Sequence, residues 1–288
     1  MKNVQLRMID SKNLYGTMNG GSVKLSNITD ADKKWLMEQN NLSTLEGFQI
    51  NKGEMFRRHR QALAEDFGFD WRKMFMADQE KLNGSVFEIT KDYVDANPNG
   101  WTDIPEDILM MRDDLAGVAL GHPVADCAVL VAEDRKQGIS AVAHCGGEMI
   151  DKRLPNMVIE ALYREGAKPE DIFVNVGARA IDGWVYTENM PKWATDEQIW
   201  KKTGAIVPGQ IEKDGKMIDS YTIYQDKALG YEFSEVGVLP ENVTWDRHNT
   251  ITDSAYYSNS AASNGHQEKY GRQFVGAIYQ EEGKARVR

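Results

Sequence analysis

Two short apolar runs joined by a charged loop constrain this chain more than any other feature. Ala128 to Ala132 and Ile139 to Ala143 are rich in small and β-branched residues, and each has the length of a buried strand. Between them, Asp134-Arg135-Lys136-Gln137-Gly138 is charged and ends in glycine, which suits a hairpin loop with a positive φ. The strands are therefore expected antiparallel, with Cys127, just before the first, beside His144, at the end of the second. Gly146-Gly147 then lets the backbone turn sharply, since glycine carries no Cβ. Leu154, Met157, Val158, Ala161 and Leu162 follow at helical spacing, a stripe that packs on the sheet, and Gly166 supplies a stop.

This arrangement brings a thiol and an imidazole together. Such a pair serves either as a nucleophile with its base or as two soft ligands for a metal such as zinc. The plain alternative is a small buried cysteine and a histidine satisfied by packing. The chain has two cysteines, Cys127 and Cys145, which in a reducing compartment are expected as free thiols.

Composition narrows the partners. With 288 residues, 41% hydrophobic and 27% charged, the chain has the material for a substantial core. No linker or internal repeat divides it, so residues 1–288 are read as one domain. A net charge of −10 argues against a nucleic-acid backbone or an anionic membrane, but not against a small anionic or nucleotide-like substrate. There is no run near the roughly 18 apolar residues of a membrane span, and Met1 to Gln5 lack the apolar core of a signal peptide. A cytoplasmic protein with a small-molecule substrate is expected.

Along the chain, residues 1–28 are read as strands around an Asn19-Gly20-Gly21 turn, with a helix starting near Thr29 and Asp30. Phe56 to Phe67 is read as a helix whose Arg57, Arg58, His59 and Arg60 form a solvated face. Met74 to Met76, Val86 to Ile89 and Val118 to Leu120 are strand candidates, with Asn83-Gly84 a turn. Lys91 to Glu106 is read as a surface loop. Pro123 withholds an N–H and points to a bulge or a strand end near the site. Ile172 to Gly177 is a buried strand, residues 180–217 an excursion with a helix, Ser220 to Phe233 a helix, and Phe274 to Tyr279 a closing strand.

These residues resemble the laccase-domain, or YfiH-type, proteins, often labelled multicopper polyphenol oxidases. Ala125-Asp126-Cys127 with Val129-Leu130, then Ala143-His144-x-Gly146, is similar to that family's ADC and HAG motifs. Pro169-Glu170-Asp171-Ile172 continues the match. Weaker echoes run from Thr17–Gly21 and Arg60-x-x-Leu63 to Gly237-Val238, Glu241-Asn242-Val243, Tyr257-Ser258 and Gly271-Arg272-Gln273. The resemblance implies an α+β fold of layered helices and mixed β-sheets, and a zinc site of two histidines and one cysteine. It also implies purine nucleoside chemistry: phosphorolysis of adenosine or inosine, or deamination of adenosine. An older oxidase label and a cysteine-hydrolase reading compete with it.

Cys127 and His144 match two of the three ligands. The third ligand of the family lies in a Q-x-H-G element, which corresponds here to Gln79-Glu80-Lys81-Leu82, without a histidine. Lysine is a poor zinc ligand while protonated, although Glu80 or Asp78 offers oxygen. The family's H-A-G-W-R-G becomes His144-Cys145-Gly146-Gly147-Glu148-Met149, so an arginine suited to an anion is replaced by a carboxylate. His122 and His266 are the substitute ligand candidates. Asp126 is a candidate general acid/base or second-shell group, or a cap on the strand end. Three readings stand: a zinc-dependent nucleoside enzyme, a metal-free Cys-His hydrolase, and a non-catalytic relative that binds a ligand.

Overall fold

The computed structural model describes residues 4–14, 30, 33–34, 37–38, 41–44, 52–77, 81–98, 100, 104–187, 189–213, 215–263 and 272–281, with only the backbone of 10–14 and 52–59. The early Asn-Gly-Gly turn, the Asp78–Glu80 stretch and His266 lie outside the described residues, as do the side chains of Arg57, Arg58 and His59.

The elements that position the site are, in order, β1 (Val4–Leu14), α1 (Lys52–Phe67), β2 (Met74–Met76), β3 (Val86–Glu88), α2 (Lys91–Ala96), β4 (Ile108–Arg112), β5 (Ala119–Val124), β6 (Ala128–Asp134), β7 (Ile139–Cys145), α3 (Gly147–Asp151) and α4 (Leu154–Arg164). There follow β8 (Ile172–Val176), β9 (Trp184–Thr187), β10 (Ile206–Lys213), β11 (Lys216–Ile223), α5 (Gln225–Glu235), β12 (Val243–Trp245), α6 (Asn259–Ser263) and β13 (Arg272–Glu281). They form a six-stranded sheet β12-β8-β6-β7-β4-β3, a four-stranded sheet β1-β13-β5-β2 and a three-stranded sheet β10-β11-β9. Parallel pairs (β2 with β5, β3 with β4, β12 with β8) occur among antiparallel ones, giving the mixed sheets of the expected layered α+β fold.

Strand alternation sets the layers. One face of the six-stranded sheet, carrying Ile108, Leu130, Ala141 and Ala143, packs on Leu154, Val158 and Leu162 of α4 and Phe233 of α5. The other face, carrying Leu109, Val129, Val131 and Val142, packs on Leu120, Val275 and Ala277 of the four-stranded sheet. Beyond that sheet, Ile9, Phe274 and Ile278 meet Leu63 of α1. The four fully buried apolar side chains of α4, Leu154, Val158, Ile159 and Leu162, each contribute roughly 1.5–3 kcal/mol relative to exposure. Within the four-stranded sheet, β13 and β5 approach closely at Gly276, paired with Gly121, where an added Cβ would meet Leu120 O at 2.0 Å.

The central hairpin forms as the sequence predicts. Asp134 pairs with Ile139, its Oδ1 accepts from Lys136 N and Gln137 N, and Gly138 takes φ +62°. Four readings need correction. Lys91–Ala96 is a helix rather than loop, because Thr90 Oγ1 accepts from Tyr93 N and caps it, while Tyr93 packs on Phe75 and Phe87. Residues 180–217 hold strands β9 and β10 around a π-helical turn, Gln198–Lys202. The helix expected from Ser220 starts only at Gln225, since Ser220-Tyr221-Thr222-Ile223 completes β11 against Trp184–Thr187. Arg60 is not solvated: it is buried, its guanidinium lies 5.1 Å from the Trp71 ring centre, and burial lowers its pKa to about 10.

Among the described residues, no helix is long and apolar enough to cross a membrane.

Candidate functional site

Cys127 and His144 meet, but not by standing opposite each other. The hairpin register pairs Ala128 with Cys145 and Val129 with His144, so Cys127 falls one step beyond the last pair, next to Gly146. A Cβ built on Gly146 would lie 3.3 Å from Cys127 Sγ and 3.6 Å from His144 Nε2. The thiol and the imidazole thus flank a position that carries no side chain. Cys145 faces the opposite side, buried in the cluster under α4, and both cysteines are free thiols.

The electrostatics follow from burial. Desolvation, reinforced by Asp126, pushes the Cys127 thiol up to about 12, while the Arg272 guanidinium pulls the other way. Burial lowers His144 to about 4, with Arg272 adding to the shift, and lowers His122 to about 3. Both imidazoles are therefore neutral at physiological pH. His122, on β5, is 2% exposed and hydrogen-bonds the backbone of Val142 and Ala77, while its Nε2 has no partner among the described residues. Its ring centre lies 6.0 Å from that of His144.

Asp126 has φ +76°, in the left-handed region that disfavours a side chain. Its carboxylate accepts from Thr250 Oγ1 and Ser260 N, both at 2.7 Å, so both oxygens serve the loop that presents Cys127. The thiol opens onto a cavity of about 300 Å³ lined by Asp126, Gly147, Trp184, Tyr186, Trp193 and Ser260 among others. Two of its aromatic rings touch, Tyr186 meeting Trp193 edge-on at 6.0 Å, and Trp193 is backed by the buried Trp200 at 5.2 Å.

Residues 39–280 match the family model described as multi-copper polyphenol oxidoreductase laccase. The chain belongs to this laccase-domain family. Its fold is similar to that of the hypothetical protein YfiH of Bacillus licheniformis, with 15% identity, 79% of this chain and 82% of that one covered, and a TM-score of 0.64. YlmD of Geobacillus stearothermophilus is similar at 16% identity over 96% and 92% of the two chains, with a TM-score of 0.60. A DUF152 protein of Neisseria meningitidis is similar at 14% identity over 96% and 95%, with a TM-score of 0.58. A search of curated proteins gave no match.

Against this laccase-domain pattern, the departures have physical consequences. Lys81, which the resemblance sets where the family has a histidine, pairs with Glu106 at 2.5 Å. Glu148, at the position of the family's arginine, is half-exposed and pairs with Lys152 at 3.0 Å. Gly147, at the position of the tryptophan, leaves room for another: a Cβ there would lie 2.3 Å from Trp193 Cη2. Trp193, from the excursion between β9 and β10, fills that space.

The donors suit zinc in kind, being one thiol and two neutral imidazoles, with the buried Nε2 of His122 lacking a partner among the described residues. Among the described residues, no three His, Cys, Asp or Glu side chains already stand grouped for an ion. Reading the sequence alone missed Arg272 as a charge acting on both Cys127 and His144, although Gly271-Arg272-Gln273 had been picked out as a family echo. It also missed the aromatic wall and Gln225, for which the sequence carries no local signal.

Proposed function

We propose that this laccase-domain protein is a zinc-dependent enzyme acting on a purine nucleoside or a related planar small molecule, by deamination or phosphorolysis. The observation that carries this reading is the convergence of Cys127 Sγ and His144 Nε2 on Gly146 beside an aromatic cavity. Cys127 and His144 would hold the ion, with His122 as the third donor. When bound, zinc supplies Lewis-acid activation. The chain supplies the rest. Burial keeps the imidazole lone pairs available, Trp184, Tyr186 and Trp193 offer flat faces to a base, and Arg272 offers positive charge to developing negative charge.

The metal-free hydrolase reading is weaker on electrostatic grounds. A thiol held near 12 presents roughly one thiolate in 10⁵ at neutral pH, and a histidine near 4 is a poor base for it.

The test is elemental analysis of protein purified without a metal-affinity tag, wild type beside Cys127→Ala, followed by assays on adenosine and inosine with and without phosphate. Near-stoichiometric zinc, lost in the variant, together with turnover supports the proposal. Zinc-free wild type that turns over neither nucleoside overturns it in favour of a ligand-binding relative.

A further inference from the structure

We infer that Gln225 is a positioning residue for the Cys127 thiol. Gln225 opens α5 and its side chain is completely buried, where an unsatisfied carboxamide would be costly. It spends its hydrogen bonds on the two peptide groups that bracket Cys127. Its Oε1 accepts from Ala128 N at 3.0 Å, and its Nε2 donates to Asp126 O at 2.7 Å. The same Nε2 lies 3.4 Å from Ala180 O.

The carbonyl of Asp126 needs this support. With φ +76°, Asp126 occupies a conformation that is strained for a residue with a side chain and persists only where its surroundings over-determine it. Four groups do so here: Gln225 Nε2 and Ala180 N on its carbonyl, and Thr250 and Ser260 on its carboxylate. Gln225 reaches both sides of Cys127, across 99 and 97 residues of chain. Removing it frees the two peptide planes whose orientation aims Sγ at Gly146. The role holds whether the thiol serves as a metal ligand or not, so it stands independently of the proposed activity.

The experiment measures the rate at which iodoacetamide alkylates Cys127, read by mass spectrometry with a chelator present. Wild type is compared with Gln225→Leu and with Asn242→Leu. Asn242 is a second buried amide that bonds backbone, donating to Glu170 O and Ile172 O far from the thiol, and so serves as a control for stability alone. Gln225→Leu is expected to raise the Cys127 rate about tenfold, while Asn242→Leu lowers the melting temperature without changing that rate. Should Gln225→Leu fail to fold, Gln225→Met, similar in length and unable to make either hydrogen bond, replaces it and should show the same rise, all rates being read at one alkaline pH. An unchanged rate in Gln225→Leu, or an equal rise in Asn242→Leu, overturns the inference.

Discussion

The rings of His122 and His144 lie 6.0 Å apart, centre to centre, tilted by 43°. His122 bonds the backbone of Val142 and Ala77, and its Nε2 has no partner among the described residues, which suits an imidazole held by backbone with a nitrogen left for a metal. His122→Ala is therefore expected to weaken zinc binding more than about 100-fold, beyond what loss of a supporting group causes. Lys81→Ala should leave it unchanged, because Lys81 is engaged with Glu106. Competition against a chelating dye measures both, and wild-type affinity in His122→Ala would assign the third donor elsewhere.

Gly146→Ala tests the gap between the two established neighbours. Gly146 has φ −71° and ψ 171°, which alanine adopts without strain, so stability should change by no more than about 1 kcal/mol. The new methyl nevertheless stands 3.3 Å from Cys127 Sγ and 3.6 Å from His144 Nε2. Zinc content and nucleoside turnover should fall sharply in a protein whose melting temperature barely moves. Retention of both would show that nothing enters this gap.

The hairpin and the helix behind it were legible in the sequence because both are local and periodic: apolar runs fix β6 and β7, and the stripe from Leu154 to Leu162 fixes α4. The register was not. A loop closed by Asp134 and Ile139 sets Cys127 opposite Gly146, so the thiol comes beside His144, as expected, without being its register partner. Residues 180–217 read as a polar excursion because β10 is exposed along most of its length and lacks the alternation that a core imposes. Arg60 was misread for the opposite reason, a charged residue that is buried with its guanidinium over the Trp71 ring. Gln225 acts on peptides nearly a hundred residues away, a relation that exists only after folding.

Gly147→Ala should disturb the cavity wall. Its Cβ would fall 2.3 Å from Trp193 Cη2, and that ring is wedged between Tyr186 and Trp200. Overpacking of this kind costs about 1–3 kcal/mol. Trp193→Ala in the same chain removes the clash, so the double variant should be more stable than the sum of the single losses predicts. Strict additivity in denaturant melts would mean that Trp193 does not occupy the space Gly147 leaves.

Glu232 gives a pH dependence of stability. Its side chain is fully buried, Arg153 Nη1 lies 2.6 Å from its Oε1, and Asp196 shares that arginine. Burial outweighs the arginine and raises the carboxyl to about 7. An unfolded chain gives up this proton near its ordinary value of 4.5, so between there and about 7 the folded state holds more protons. Stability from this group is present in full below the lower value, falls as pH rises through the window, and is level above it. The loss is at most a few kcal/mol, because Arg153 is part-exposed and stabilises the charged form. Glu232→Gln removes the titrating group. Melting temperatures of wild type and variant should diverge between pH ~5 and ~7.5, with wild type declining relative to the variant. A constant difference across that range would mean that Glu232 keeps its charge and its pair with Arg153 throughout.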